Sequence, residues 1–211
     1  MITAKQLLLL GIFSRQPYKE WTYRELKEQS KEKSNSLLQK TLVKFQEEQI
    51  MSKKKIGNIF VYSLILENPQ TLAYLNLVSW EKLPAVAKRN ILVLLEEISS
   101  FPFCTLVIFG SYAEGKQKDK SDLDVMALVK DLEDKRKVEL SFKEIELKSV
   151  LTIDGHVFTT AEMLEMLKDK KENLGKQIAK KHLVIHNPAI FYNILKEGIN
   201  NLLPALKGGV S

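Results

Sequence analysis

Along this chain the apolar positions alternate between two spacings, and the changes of spacing mark the predicted elements. Lys5 to Ser14 carries Leu7, Leu8, Leu10 and Ile12, a mostly apolar run that predicts a buried helix. It lacks the charged leader and the small-residue cleavage site of a signal peptide. Thr22, Tyr23, Arg24 and Glu25 have the form of a capping box, so a second short helix is expected from Tyr23 to about Gln29. Beyond a polar turn at residues 30–33, Leu38, Leu42 and Phe45 recur at i, i+4 and i+7 and predict a third helix from roughly Ser34 to Gln49. The rhythm then shortens. Ile50 to Lys55 and Ile59 to Leu66 read as two strands around a Gly57-Asn58 turn.

Asn68-Pro69 closes that hairpin, and Thr71 to Trp80 predicts a connecting or dimer-forming helix, with Pro84 at a domain boundary. A helix over Ala85 to Ser99 leads to two runs rich in β-branched residues, Leu106 to Phe109 and Val125 to Val129, each with the length of a buried strand. Asp131 to about Leu147 has a helical pattern. Ser149 to Thr159 reads as a strand interrupted at Asp154-Gly155, followed by a helix capped by Thr160 and running through Leu167. Lys168 to Lys181 is basic and polar, Leu183 to Ile185 reads as a short strand, and Asn187 is placed to cap a helix over Ala189 to Lys196. The tail from Leu202 to Ser211, with Gly208 and Gly209, is expected to fray. The expected division is thus residues 1–67, a linker over 68–84, a second domain over 85–201, and the tail.

A hydrophobic content of 45% is ordinary for a globular chain, and no apolar run reaches the ~18–20 residues of a membrane span, so a cytoplasmic protein is the expectation. The single Cys104 sits in an apolar stretch and reads as a small buried hydrophobe. His182 and His186 flank a strand instead of sharing a helix face, which argues against a zinc pair. Charge changes the picture more. The net +6 lies entirely in residues 1–66, with 12 Lys/Arg against 6 Asp/Glu, while the remaining 20 and 20 cancel. That asymmetry suits a module facing an anionic polymer.

The candidate chemistry lies between the two apolar runs. Gly110 permits a sharp turn and close approach of a ligand, and Ser111 would open a helix whose free N–H groups favour a phosphate. Asp122 and Asp124, one residue apart at the mouth of a strand, would share a face and suit Mg²⁺, which takes oxygen ligands and is shared with substrate phosphates. Phosphoryl transfer is the reaction class this arrangement suggests. Lys116, Lys118 and Lys120 in the intervening loop are placed to steer a triphosphate. A surface turn built from Asp and Ser is the plainer alternative.

At these residues the chain resembles the nucleotidyltransferase superfamily that includes DNA polymerase beta, and most closely its minimal nucleotidyltransferase branch. The pattern is Gly-Ser, ten residues, then Asp-x-Asp, filled here by Gly110-Ser111, Tyr112 to Ser121, and Asp122-Leu123-Asp124, with Gly115 matching a further glycine of the loop. The resemblance implies a small mixed sheet flanked by helices, an α/β chain of the α+β kind. It further implies transfer of a nucleoside monophosphate from an NTP, ATP foremost, to a hydroxyl. Asp122 and Asp124 would hold one or two Mg²⁺ ions, and Gly110 and Ser111 the β- and γ-phosphates. A third carboxylate on a neighbouring strand is implied too, with Asp154 as its candidate and Glu146 as a distant substitute; an Asp154-Gly155 turn is the equal alternative. Short members of the branch adenylylate a tyrosine of a partner HEPN-type ribonuclease in toxin–antitoxin pairs, which implies an acceptor class for this chain.

The N-terminal order of three helices and a hairpin resembles winged helix-turn-helix DNA-binding modules. By that resemblance Asn35, Ser36, Gln39 and Lys40 on the third helix, and Lys53, Lys54 and Lys55 on the wing, are candidate DNA contacts. Two functional classes follow: a nucleotidyltransferase combined with DNA binding, or a DNA-binding regulator whose second domain binds NTP or a partner without turnover.

Overall fold

A computed structural model describes residues 2–14, 16–30, 34–146 and 148–206, the last eight of these by backbone alone. The predicted turn at residues 31–33, residue 147 and the glycine-containing end of the tail lie outside the described residues. The chain divides into two compact units, Met1–Val78 and Ser79–Ser211.

The first unit comprises α1 (Ala4–Phe13), β1 (Trp21–Thr22), α2 (Tyr23–Ser30), α3 (Asn35–Glu47), β2 (Met51–Ile56) and β3 (Ile59–Leu64), and α4 (Pro69–Lys82) begins within it. The expected capping box is present at the start of α2. Glu25 N–H donates to Thr22 Oγ1 at 3.2 Å, and Thr22 N–H donates to Glu25 Oε2 at 2.7 Å. Ser34 caps α3 through the Leu37 N–H. Leu38, Leu42 and Phe45 form the buried stripe of α3, and Leu10, Phe13, Leu26 and Ile50 of the same unit are likewise fully buried. The hairpin is a regular antiparallel pair, and the two-residue β1 adds to β3 to give the order β1-β3-β2. This third strand was not legible from its length. It is fixed by Trp21, whose buried ring packs edge-on against Phe13.

In the second unit, α5 (Ala85–Glu97), β4 (Thr105–Ile108), α6 (Gly110–Glu114), β5 (Leu123–Val129), α7 (Leu132–Glu146), β6 (Ile153–Thr159), α8 (Thr160–Lys168), α9 (Leu174–Lys180), β7 (Leu183–His186) and α10 (Pro188–Leu206) follow one another. Four strands form a mixed sheet in the order β6-β5-β4-β7, parallel only between β5 and β6. Alternation along β5 divides the sheet into two packed faces. Leu123, Val125, Ala127 and Val129 join Ile91 and Leu94 of α5 and Val138, Phe142 and Ile145 of α7 in one core. The opposite face, with Val107, Met126 and Leu128, lies toward α8 and α10.

Several boundaries differ from the sequence reading. The strand after α7 is uninterrupted: Asp154 and Gly155 pair in register with Asp124 and Val125, so the turn reading is set aside. Glycine there answers to packing, since a Cβ would stand 2.5 Å from the Phe142 ring. Thr159, not Thr160, caps α8, in a box closed by Glu162. The basic stretch 168–181 contains the unforeseen α9, capped by Asn173. Helix α10 runs on to Leu206 where an end near Lys196 was expected. Asn187 takes a positive φ of 47° and donates its amide to the Pro102 and Cys104 carbonyls, tying the last helix to the approach of β4. No helix among the described residues is long and apolar enough to cross a membrane.

His182, between α9 and β7, is buried with its ring edge-on to Phe191 and Tyr192, and its Nδ1 lies 3.0 Å from the Ile178 carbonyl. Burial disfavours the charged ring and drops its pKa from 6.5 to about 4. Between those values the unfolded chain binds a proton that the native ring refuses, so stability falls as pH is lowered. The slope is about 1.4 kcal/mol per pH unit in that window, and the contribution is flat above it. Urea midpoints taken from pH 7 to pH 5 should therefore decline less in His182→Leu than in the wild type.

Candidate active site

The bend after β4 is dictated by one residue. Gly110 adopts a φ of +62°, which L side chains rarely take, and its backbone lies against Asp124: a Cβ added there would stand 2.1 Å from Oδ2 of that aspartate. The Phe109 N–H donates to the Asp124 carbonyl at 3.1 Å, and the Ser111 backbone amide favours the charged form of the Asp124 carboxylate. Helix α6 is a single turn that starts at Gly110 and ends on the left-handed Gly115. Its first amides therefore face the acid at the start of β5. Ser121 and Lys118 then close the polar loop by a reciprocal pair of hydrogen bonds just ahead of Asp122.

Asp124 is half-buried on β5, and its in-register neighbour on the parallel β6 is Asp154. In a parallel pair, side chains at matched positions leave the same face, so the two carboxylates meet across adjacent strands. Asp122 precedes the strand and is exposed, and its charge acts on both Asp124 and the buried Tyr112. Burial, then the Asp154 and Asp122 charges, raise the Asp124 carboxyl above the ordinary 3.8, against the opposing pull of the Ser111 amide. The Asp154 and Asp122 charges thus both bear on Asp124 beside the Gly110 bend.

Hard oxygen donors with excess negative charge fit Mg²⁺ in their chemistry, and the ion's usual habit is to take one or two protein carboxylates and complete its shell from phosphates and water. Among the described residues, no group of three His, Cys, Asp or Glu stands ready as a preformed metal cluster. The site therefore fits an ion that arrives with its nucleotide better than a dedicated protein cage.

One residue escaped the sequence reading. His156 follows Asp154 by two on β6, and its Nε2 lies 3.3 Å from Asp154 Oδ1. The ring stacks on Phe158 with an interplanar angle of 8° and leans on Phe109 at 5.8 Å between centroids. Asp-x-His in a strand was the available signal, masked by treating Asp154-Gly155 as a break. Of the loop lysines, Lys116 is engaged by Glu114 at 2.8 Å, while Lys118 and Lys120 are exposed. Lys181 also reaches Glu114, and the two ammonium groups hold that carboxyl down at about 2. Glu146 ends α7 and is exposed. Cys104 is buried and its thiol is pushed up to about 12, chiefly by desolvation, which leaves it protonated and inert.

In the first unit, Asn35, Ser36, Gln39 and Lys40 are exposed on α3, and Lys53, Lys54 and Lys55 are exposed on β2. Gln39 and Lys53 line one cleft between α3 and the hairpin. Alternation turns Lys54 to the other face of that hairpin.

Residues 102–200, a little under half of the chain, match the family model described as Polymerase beta, Nucleotidyltransferase. The matched stretch contains the Gly110 bend, all three aspartates and the whole four-stranded sheet, and it supports a nucleotidyltransferase domain with nucleotidyl transfer as its family-level chemistry. No curated protein and no solved structure gives a significant match.

Proposed function

We propose that the chain is a Mg²⁺-dependent cytoplasmic nucleotidyltransferase that moves a nucleoside monophosphate, AMP from ATP, to a hydroxyl acceptor, and that its N-terminal unit binds DNA. The observation that carries the reading is the contact of the Gly110 backbone with the Asp124 carboxylate, with Asp154 beside it on the next strand. In the reaction the acceptor oxygen bonds to the α-phosphorus, the bond to the pyrophosphate oxygen breaks, and pyrophosphate leaves. When bound, Mg²⁺ neutralises charge on the phosphates and draws their oxygens into line. Asp122 and Asp124, joined by Asp154, would hold it. The Gly110-Ser111 turn offers a backbone surface for the β- and γ-phosphates. Asp154 would accept or direct the acceptor's proton, oriented by the His156 ring.

The acceptor class favoured by the resemblance is a tyrosine hydroxyl of a HEPN-type ribonuclease partner, which makes the chain the antitoxin of such a pair. DNA contacts by Asn35, Ser36, Gln39, Lys40, Lys53, Lys54 and Lys55 would couple the enzyme to its own transcription. A second reading, a DNA-binding regulator whose second domain holds NTP or a partner without turnover, draws on the lack of a ready three-ligand cluster among the described residues. Incubation with α-labelled ATP, Mg²⁺ and candidate acceptors separates the two. The enzyme reading expects label on acceptor with stoichiometric pyrophosphate; nucleotide binding with no label on protein, RNA or DNA leaves the regulator.

A further inference from the structure

In the first unit a cleft of about 610 Å³ opens between α3 and the hairpin, lined by Tyr23, Arg24, Gln39, Val43, Lys53 and Phe60 among others. Its floor is closed, since Leu42 and Tyr62 are 2% and 7% exposed. What remains open is part of the Phe60 side chain and its surroundings. Phe60 is 46% exposed, and the Lys53 ammonium already lies 4.1 Å from its centroid and 6.0 Å from that of Tyr62. Among the described residues, no Asp or Glu lines the cleft.

We infer that this cleft takes an unpaired nucleotide of a single-stranded nucleic acid, the base stacked on Phe60 and the adjoining phosphate met by Lys53. Three features select that occupant. A cleft with a sealed apolar floor has no pit for the aliphatic anchor of a helical peptide, but it presents a partly exposed aromatic ring of the kind on which bases stack whatever their sequence. The cation beside the ring offers a partner for backbone phosphate next to a base held on the aromatic side chain, the pairing that single-strand binding uses. The exposed Gln39 on the helical wall supplies an amide able to bond a base edge. The register places Lys53 opposite the buried Tyr62 and Lys55 opposite the exposed Phe60, so two cations flank that one open ring on the same face of the hairpin, where the phosphates on either side of a stacked base can be met.

The inference goes beyond the duplex contacts proposed above and is independent of transfer chemistry, so it is tested by binding without ATP. Full-length protein is titrated into fluorescein-labelled oligonucleotides of about twelve nucleotides, as single-stranded DNA, as single-stranded RNA of the same sequence, and as duplex DNA. Single strands are expected to bind at least as tightly as duplex. Phe60→Ala should weaken them about tenfold or more, with Phe60→Trp retaining affinity and Lys53→Ala flattening the salt dependence. The DNA and RNA arms identify which strand chemistry the site accepts. Unchanged single-strand affinity in Phe60→Ala overturns the proposal, and a duplex defect in Lys40→Ala in the same experiment would leave the DNA reading standing. A Phe60-dependent acidic peptide with no affinity for either single strand likewise overturns it and assigns the cleft to a protein. Because Phe60 is exposed, an unaltered circular dichroism melt suffices to show that each variant is folded.

Discussion

Asp124→Asn is expected to abolish nucleotidyl transfer, by on the order of 10²–10³-fold or more, while leaving the protein at least as stable as the wild type in the absence of Mg²⁺. The two effects have one cause. The Asp124 carboxyl titrates above its ordinary 3.8 because burial and the neighbouring Asp154 and Asp122 charges oppose its ionisation. An acid raised in the folded state contributes a penalty that is absent below its unfolded pKa and fully present above its folded one, and at neutral pH the penalty is complete. Asparagine removes it and can still accept the Ser111 amide through Oδ1. The wild type should recover the difference when Mg²⁺ and a non-hydrolysable ATP analogue are added, since a bound cation reverses the repulsion. Melting curves with and without these additions should rise for the wild type and stay flat for Asp124→Asn. Proton competition sets a companion expectation: the Mg²⁺-nucleotide gain shrinks as pH falls toward the raised carboxyl. A variant that lost apo stability and kept its response to Mg²⁺ would show that Asp124 is structural.

How much of this site could be read from residues alone depends on the range of the interaction that fixes each part. The bend was legible because a chain-local rule governs it: a glycine where φ must be positive. The register between β5 and β6 is not local. It is set by the crossover through α7 and by the seating of the Phe142 ring over Gly155, which turns what reads as a turn dipeptide into the middle of a strand. That one packing event brings Asp154 beside Asp124 and carries His156 with it. Strand β1 escaped notice for a related reason, because two residues have no periodicity and pair only through the burial of Trp21. Helix α9 was hidden by composition: Lys180 is exposed and Lys176 half-buried, and only Gly175 and Ile178 are fully buried, too few to show a periodic apolar stripe.

The largest separation between fold and function is expected at two glycines five residues apart. Gly110 and Gly115 both hold positive φ, at 62° and 69°, so alanine at either position should cost about 1 kcal/mol of stability from backbone strain. Their surroundings differ. Nothing lies within 4 Å of a Cβ at Gly115, whereas at Gly110 the new methyl meets Asp124 Oδ2 at 2.1 Å and Cγ at 2.7 Å. Those atoms belong to a side chain that can swing aside, so Gly110→Ala should fold, with its midpoint lowered comparably to Gly115→Ala. The swing moves the carboxylate off the bend and away from the Ser111 amide, and a displacement of about 1 Å at a reacting centre costs on the order of 10²-fold. Gly115→Ala is therefore expected to keep most of its transfer rate, and Gly110→Ala to lose nearly all of it, at matched thermal stability. Equal loss in both would mean that the loop's backbone conformation governs the rate. Equal retention would mean that the contact between bend and carboxylate, on which the enzymatic reading stands, carries no chemistry.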